Sequence, residues 1–170
     1  MTRVYVPATI EILQELVTES EFHPMSRTAF AVTATLREAY SSGDEEELAE
    51  VAMGEAARAS LRLIAGRLAE GGDDGVRFRR VVVAADVDDV TPRPDLDDAV
   101  VRLPGPVTLA QVASVHVDLA EAEPDIERAV AAIDEADLGD PDAEFVLGDA
   151  EDHVLAWYAT QEISFLLELL

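Results

Sequence analysis

The stretch RRVVVAADV, residues 79–87, decides the fold that this sequence predicts. After two arginines it stays apolar over five successive positions before a single aspartate interrupts it. A strand with one face in water alternates apolar and polar residues, whereas a strand covered on both faces reads as a continuous apolar run. The stretch therefore predicts a strand that is buried on both sides of a sheet.

Strands and helices are predicted to interleave around this strand. Short runs rich in β-branched or aromatic residues predict further strands at residues 3–9 and 28–33, near residues 99–106 and near residues 114–118. Apolar residues at helical spacing predict a helix after Thr9, and Pro124 opens another that runs to about Ala136. The chain is thus expected to form a single α/β domain over residues 1–170, a sandwich in which helices pack on a mixed sheet of about five strands.

The clearest predicted element is a long helix within residues 41–70. Either Ser42 or Asp44 is placed to cap its start, each with a glutamate three residues later. Apolar or small residues occur nearly all round the helix over residues 51–68, which predicts that it is covered on more than one side. The sequence GGDDG at residues 71–75 is expected to end it.

The net charge limits the partners of this protein. The 170 residues include 36 acids and 12 arginines but no lysine, which gives a net charge of −24. Such a chain repels the phosphates of nucleic acids and anionic lipids, so neither direct nucleic-acid binding nor membrane binding is expected. A cationic partner would be attracted, and one hypothesis is therefore an acidic decoy that occupies a basic, nucleic-acid-binding protein.

Several kinds of chemistry are excluded by composition. Without lysine there is no Walker lysine and no Schiff base, and without cysteine there is no thiol catalysis and no disulfide. No G-x-S-x-G or G-x-G-x-x-G motif occurs. The start has no apolar segment of the kind found in signal peptides, and no apolar run approaches the length of about 18 residues that spans a membrane. A soluble cytoplasmic protein is expected.

Asp86 and Asp88, at the end of the buried strand, are the candidate catalytic residues. Haloacid-dehalogenase-like phosphatases place two aspartates in this pattern: Asp86 would attack phosphorus, Asp88 would protonate the leaving group, and Mg²⁺ would hold the charge. Against this, about half of the chain precedes the pattern, and no lysine is present to hold the nucleophile. The alternative is an acidic loop after a buried strand. No cofactor is predicted, and Mg²⁺ enters only with the hydrolase hypothesis.

No metal site is predicted at the three histidines, His23, His116 and His153, because none is paired at helical spacing. His116 lies between two valines and should point to the opposite face of its strand from both. It is interpreted as a structural or surface histidine whose hydrogen bonds are satisfied.

The last stretch, beginning near Asp149, is predicted to form a closing helix. Wound at about 100° per residue, it places its apolar side chains on one face: Val154, Leu155, Tyr158, Phe165, Leu166 and Leu169. Glu162 falls in the middle of this face. A bare carboxylate buried there would cost several kcal/mol, so Glu162 should be paired or should open to a cavity.

Two interpretations of Glu162 remain open. In the structural one, it forms a buried ion pair with Arg3, Arg58 or Arg62, or a hydrogen bond with the hydroxyl of Tyr158.

In the ligand-binding interpretation, Glu162 and Tyr158 form the floor of a small-molecule pocket. Its rim would then carry Gln161, Trp157 and His153. The apolar end of the chain, residues 165–170, is a candidate contact for a homodimer through the C-terminal helix, with packing on its own domain as the alternative.

Five stretches together resemble an uncharacterised actinobacterial protein family of roughly this length: RVYVPAT, TAFAVT, RRVVVAADV, VHVDLAEAEP and EDHVLAWYATQE. The resemblance implies a bacterial cytosolic protein and supplies neither an activity nor any functional residue. The leading hypothesis is thus a protein that acts by binding a protein or a small ligand. A metal-assisted hydrolase and an acidic decoy are the alternatives.

Overall fold

Helices cover both faces of a seven-stranded sheet in the structure, a computed structural model that describes residues 1–71 and 75–170. The strands are β1 (Thr2–Ala8), β2 (Glu21–Phe22), β3 (Thr28–Phe30), β4 (Val81–Val87), β5 (Thr91–Pro92), β6 (Val100–Arg102), β7 (Val107–Thr108), β8 (Val112–Val117) and β9 (Ala156–Ala159). The helices are α1 (Ile10–Glu19), α2 (Ala34–Ala39), α3 (Glu45–Ala69), α4 (Glu123–Asp137), α5 (Pro141–Glu151) and α6 (Ile163–Glu168).

The large sheet has the strand order β5-β6-β3-β1-β4-β8-β9, while β2 and β7 pair separately. Each pairing between neighbours in the large sheet is antiparallel. The predicted α/β class, with helices packed on a sheet, is confirmed. The sheet is antiparallel rather than mixed, and it has seven strands rather than about five. The additional strands escaped prediction because β5 has only two residues and β9 lies inside a segment that reads as helical.

The central strand β4 is covered on both faces, as its apolar run predicts. Val81 and Val83 point into the core formed with α1 and α6. Val82 and Ala84 point into the opposite core, formed with α2 and the first half of α3. This alternation along one strand places two separate cores on the two sides of the sheet.

The long helix α3 leaves the sheet half-way along its length. Ser60 marks this point, since its buried hydroxyl donates to the carbonyl of Ala8 at 2.7 Å and accepts the N–H of Val81 at 3.0 Å. Beyond it, Leu61 and Ile64 pack in a third core with α4 and α5. The apolar residues found nearly all round this helix are explained by its contacts with two different cores.

Several predicted helix ends are confirmed. Thr9 caps α1 by accepting the N–H of Ile12, and Asp44 caps α3 by accepting the N–H of Glu47. A proline opens α4. Helix α3 ends at Ala69, and residues 72–74 of the predicted stop signal lie outside the described residues.

The prediction of a single closing helix that begins near Asp149 is wrong. Helix α5 already begins at Pro141, where Asp140 caps it, and it ends at Glu151. The chain then forms β9, whose Tyr158 lies opposite Val115 of β8. A short apolar run fits a strand as well as a helix, and here hydrogen bonding to the sheet decides the outcome.

A buried ion pair joins β4, β8 and the turn before β9. The guanidinium of Arg80 donates to both carboxylate oxygens of Asp118, at 2.9 and 2.8 Å, and also to the carbonyl of His153 at 3.0 Å. Arg80 is 4% exposed and Asp118 is fully buried. Removing one partner would leave the other charge buried and unpaired.

We expect Asp118→Asn to lower the free energy of unfolding by about 3–5 kcal/mol, because the buried guanidinium of Arg80 loses its counter-charge. Urea unfolding followed by circular dichroism measures this. The matched control is Asp86→Asn, which breaks the more exposed Arg3–Asp86 pair between β1 and β4 and should cost about 0–1 kcal/mol. Equal losses for the two variants would contradict the role given to the buried pair.

Candidate functional site

A groove of about 610 Å³ runs between α3 and the turn that follows α5. This volume lies within the usual range for small-ligand sites. Its apolar lining comes from Val51, Met53, Ala57, Leu61, Val154 and Leu155, and its charged or titratable lining from Glu50, Glu55, Arg58, Arg80, Glu151 and His153. The groove thus offers an apolar surface interrupted by a small number of charges.

The helical wall of the groove contains a glycine. Gly54 lies in the middle of α3 and is exposed, and a Cβ built on it meets no atom within 4 Å. Glycine in a helix interior costs about 0.5–1 kcal/mol relative to alanine. Packing does not require glycine here, and any side chain at this position would project into the space of the groove.

The two arginines of the groove are already neutralised. Arg58 donates to the carboxylates of Asp137 and Glu144, with hydrogen bonds of 2.8–3.2 Å. Arg80 is held by Asp118, as described above. The charges that stay unbalanced in the groove are therefore negative.

Glu55 is the least satisfied of these acids. Its side chain is half-buried, and it makes no hydrogen bond or ion pair with any residue in the described part of the chain. Burial raises the pKa of the Glu55 carboxyl, the negative charge of Asp97 raises it further, and Arg58 and Arg62 partly oppose this. A cation placed in the groove would relieve the unfavourable environment of the ionised carboxylate.

His153 belongs to the wall opposite α3. Its Nε2 lies 2.7 Å from a carboxylate oxygen of Asp125, and its carbonyl accepts from Arg80. These contacts tie the turn to α4 and to β4. Of the five residues predicted to form a pocket, His153 is found in the lining of this groove.

The other four predicted pocket residues do not converge. Trp157 and Tyr158 are neighbours in β9 and point to opposite faces of the sheet, where Tyr158 packs against the core under α6. Gln161 and Glu162 are exposed in a 3₁₀ turn. Their role in ligand binding stays a prediction.

The prediction that Glu162 is buried on the face of a long helix is wrong, because the residue lies in the 3₁₀ turn before α6. Its carboxylate accepts the N–H of Ala159 at 2.9 Å. The arginines proposed as its partners are engaged elsewhere: Arg62 with Asp137, Arg58 with Asp137 and Glu144, and Arg3 with Asp86.

The candidate catalytic aspartates are held in separate contacts. Asp86 accepts two hydrogen bonds from Arg3, at 2.8 and 3.2 Å, and these lower the pKa of its carboxyl. Asp88 is exposed, 3.4 Å from the amino group of Met1. Among residues 1–71 and 75–170, no group of three or more histidine and acidic side chains is arranged to hold a metal ion. The hydrolase hypothesis stays a prediction.

His116 is hydrogen-bonded, as its position in the strand predicts. Its Nε2 lies 3.1 Å from the hydroxyl of Ser114 on the same face of β8. Burial lowers the pKa of the His116 imidazole, and the positive charge of Arg3 lowers it further. A lowered pKa favours the uncharged form of the ring, which suits a structural histidine.

The sequence model of a family described as "Family of unknown function (DUF6912)" matches residues 2–167. The chain belongs to this family. No match was found among curated proteins or among solved structures. Within the described residues, none of the helices combines the length and apolar character needed to cross a bilayer. The predicted family resemblance is confirmed, while the actinobacterial origin stays a prediction.

The sequence-based prediction missed both Gly54 and Glu55. Both lie in the segment EVAMGEAARAS, which reads as an ordinary helix. The signal in the sequence was a glycine inside a predicted helix, where no turn requires glycine, followed by an acidic residue among small apolar residues. Which side of the helix would be left uncovered depends on the path of the chain after α5.

We expect Glu55→Gln to raise the free energy of unfolding at about pH 7, because the ionised carboxylate is less stable in the folded than in the unfolded chain. Since the folded pKa is raised, this gain should shrink as the pH falls through that pKa, and it should vanish below the ordinary value of about 4.3. Urea unfolding over this pH range measures it. Glu168→Gln, at an exposed position of α6, is the control and should give no such gain. A loss of stability at neutral pH in Glu55→Gln would show that the carboxylate is structural.

Proposed function

We propose that this protein acts without catalysis, by binding in the α3 groove a ligand group that joins a positive charge to an apolar body. The observation that carries the proposal is Glu55, a half-buried carboxylate without a partner in the described chain and with a raised pKa. Carboxyl groups with perturbed pKa values cluster at functional sites.

The rest of the groove supports the same ligand. Glu50 and Glu151 add negative charge to its lining, and the apolar side chains of Met53, Val154 and Leu155 supply contact area. Outside the groove, the net charge of −24 raises the local concentration of cations near the protein. The geometry thus favours organic amines and guanidines over anions.

The same charge supports a further part of the proposal, in which neither nucleic acid nor membrane is a direct partner of the protein. We also propose that it acts in the cytoplasm. The predicted homodimer through the C-terminal helix receives less support, because Ile163 and Leu166 of α6 pack into the core of their own chain. Phe165 and Leu169 are left exposed.

Two probes with the same apolar body test the charge requirement. Isothermal titration calorimetry should show that 4-phenylbutylamine binds more tightly than uncharged 4-phenylbutanol. Glu55→Gln should weaken binding of the amine about tenfold, which is about 1.4 kcal/mol, and should leave the alcohol unaffected. Glu168→Gln should change neither. If the amine bound wild type and Glu55→Gln equally well, the proposal would fail.

Two helix glycines test the location of the site. We expect Gly54→Leu and Gly66→Leu each to stabilise the protein by about 0.5–1 kcal/mol, since both glycines are exposed in α3 with open space around them. Only Gly54 lines the groove, so only Gly54→Leu should abolish binding of the amine. Thermal unfolding and calorimetry on the same samples measure both effects. Retained binding in Gly54→Leu would place the site elsewhere.

A further inference from the structure

The strand β9 forms one edge of the large sheet and pairs with β8 on one side. Natural edge strands are usually protected by charged side chains, proline or bulges against pairing with other chains. The segment VLAWYAT, residues 154–160, contains neither a charge nor a proline. This edge is therefore chemically suited to receive another strand.

The backbone of β9 has hydrogen-bonding groups on its outer side. The N–H of Ala159 donates to the carboxylate of Glu162 rather than to β8. Because the backbone groups of an antiparallel strand alternate between its two sides, the N–H and C=O of Trp157 point to this same outer side. A side-chain carboxylate on an exposed residue is a cap that an incoming strand can displace.

Large apolar side chains beside this edge are in contact with water. Val154 is 85% exposed and Trp157 is 62% exposed. Aromatic side chains of this kind supply much of the binding energy of protein interfaces. An added strand would cover both.

We infer that the outer edge of β9 binds an extended, basic segment of a partner protein as an eighth strand of the large sheet. This rests on the proposed function, because the groove receives one of the basic side chains of that segment. Main-chain hydrogen bonds to β9 supply affinity, and alternate side chains of the segment supply specificity.

The charge around the edge selects a basic partner. The acids Glu151, Asp152 and Glu162 flank β9 in the sequence, and the adjacent Arg80 is buried in its ion pair. A second copy of this chain would bring another net charge of −24 to the same edge and would be repelled. Complementarity therefore favours a cationic segment over a homodimer.

The position of the groove explains how one segment serves both sites. Leu155, which lines the groove, lies two residues before Trp157. Neighbouring strands lie about 4.8 Å apart, so an arginine of the added strand, on the α3 side of the sheet, can extend across Leu155 into the groove. Its guanidinium then approaches the acids described there, and its methylene groups contact the apolar walls.

Synthetic peptides test this inference, and Trp157, the one tryptophan of the chain, reports binding through its fluorescence. The basic peptide acetyl-Arg-Val-Arg-Val-Arg-Val-amide should give a saturable change, and its twin with glutamate in place of arginine should give none. Two further twins carry N-methyl groups on all arginine amides or on all valine amides. Because alternate amides face opposite edges of a strand, one twin should bind at least tenfold more weakly and the other should bind normally.

A variant of the edge gives the matching test on the protein. Ala159 has a φ of −69°, which proline also adopts, so Ala159→Pro removes the outward N–H without backbone strain. Peptide affinity should fall about tenfold, and binding of 4-phenylbutylamine in the groove should not change. Circular dichroism verifies the fold, and the N-methylated twins test the wild type if this variant does not fold.

The alternatives give different results. Absence of peptide binding, or equal binding of both N-methylated twins, would overturn strand addition. If the amine bound and the peptide did not, the proposed function would stand and strand addition would be overturned. If neither the amine nor the peptide bound, the proposed function and strand addition would both be overturned. A dimer of the chain alone in sedimentation velocity, lost in Ala159→Pro, would assign the edge to a second copy and would overturn the choice of a basic partner.

Discussion

The Arg80–Asp118 ion pair is the interaction on which the C-terminal half of this structure depends. It joins the start of β4 to the end of β8, and both side chains are shielded from water. Two charges in such a place are tolerated because they are paired and hydrogen-bonded: besides the two bonds from the guanidinium, the Arg80 backbone N–H also donates to Asp118, at 2.7 Å. The pair fixes the relation between two strands more strictly than apolar contacts would, since ionic hydrogen bonds have directions and apolar contacts do not.

The same pair sets the position of the groove. Arg80 donates to the carbonyl of His153, and the imidazole of His153 contacts Asp125 of α4. These contacts hold the turn after α5, which forms the groove wall opposite α3. From this turn the chain enters β9 beside β8, so the buried interaction lies next to both the groove wall and the edge of the sheet.

Two local features of the structure work against stability, and both concern the proposed binding surface. Glu55 keeps a charge in a half-buried position, and Gly54 occupies a helix interior where a Cβ would meet no neighbouring atom. Residues that lower local stability are expected mainly at functional sites or at strained sites. The exposed Trp157 on an uncharged edge strand is a third exception of this kind, and it lies next to the same groove wall.

Local sequence patterns determined much of this protein. The apolar run of β4 predicted a strand covered on both faces, Thr9 and Asp44 predicted helix starts, and Pro124 predicted the start of α4. These features depend on residues a few positions apart, and side-chain alternation and capping act at that range. The net charge was likewise readable from the sequence alone.

Tertiary structure decided the conformation of residues 149–170. Their apolar spacing allows a helix with Glu162 buried on its face, but β8 offers hydrogen bonds to Ala156–Ala159, and the strand that forms rotates Trp157 and Tyr158 to opposite sides. Glu162 then lies in water and caps the edge of the sheet. The groove arises from contacts between residues far apart in the chain, such as Arg80 with His153 and Arg58 with Glu144. No local pattern encodes such contacts, because they depend on where whole elements pack.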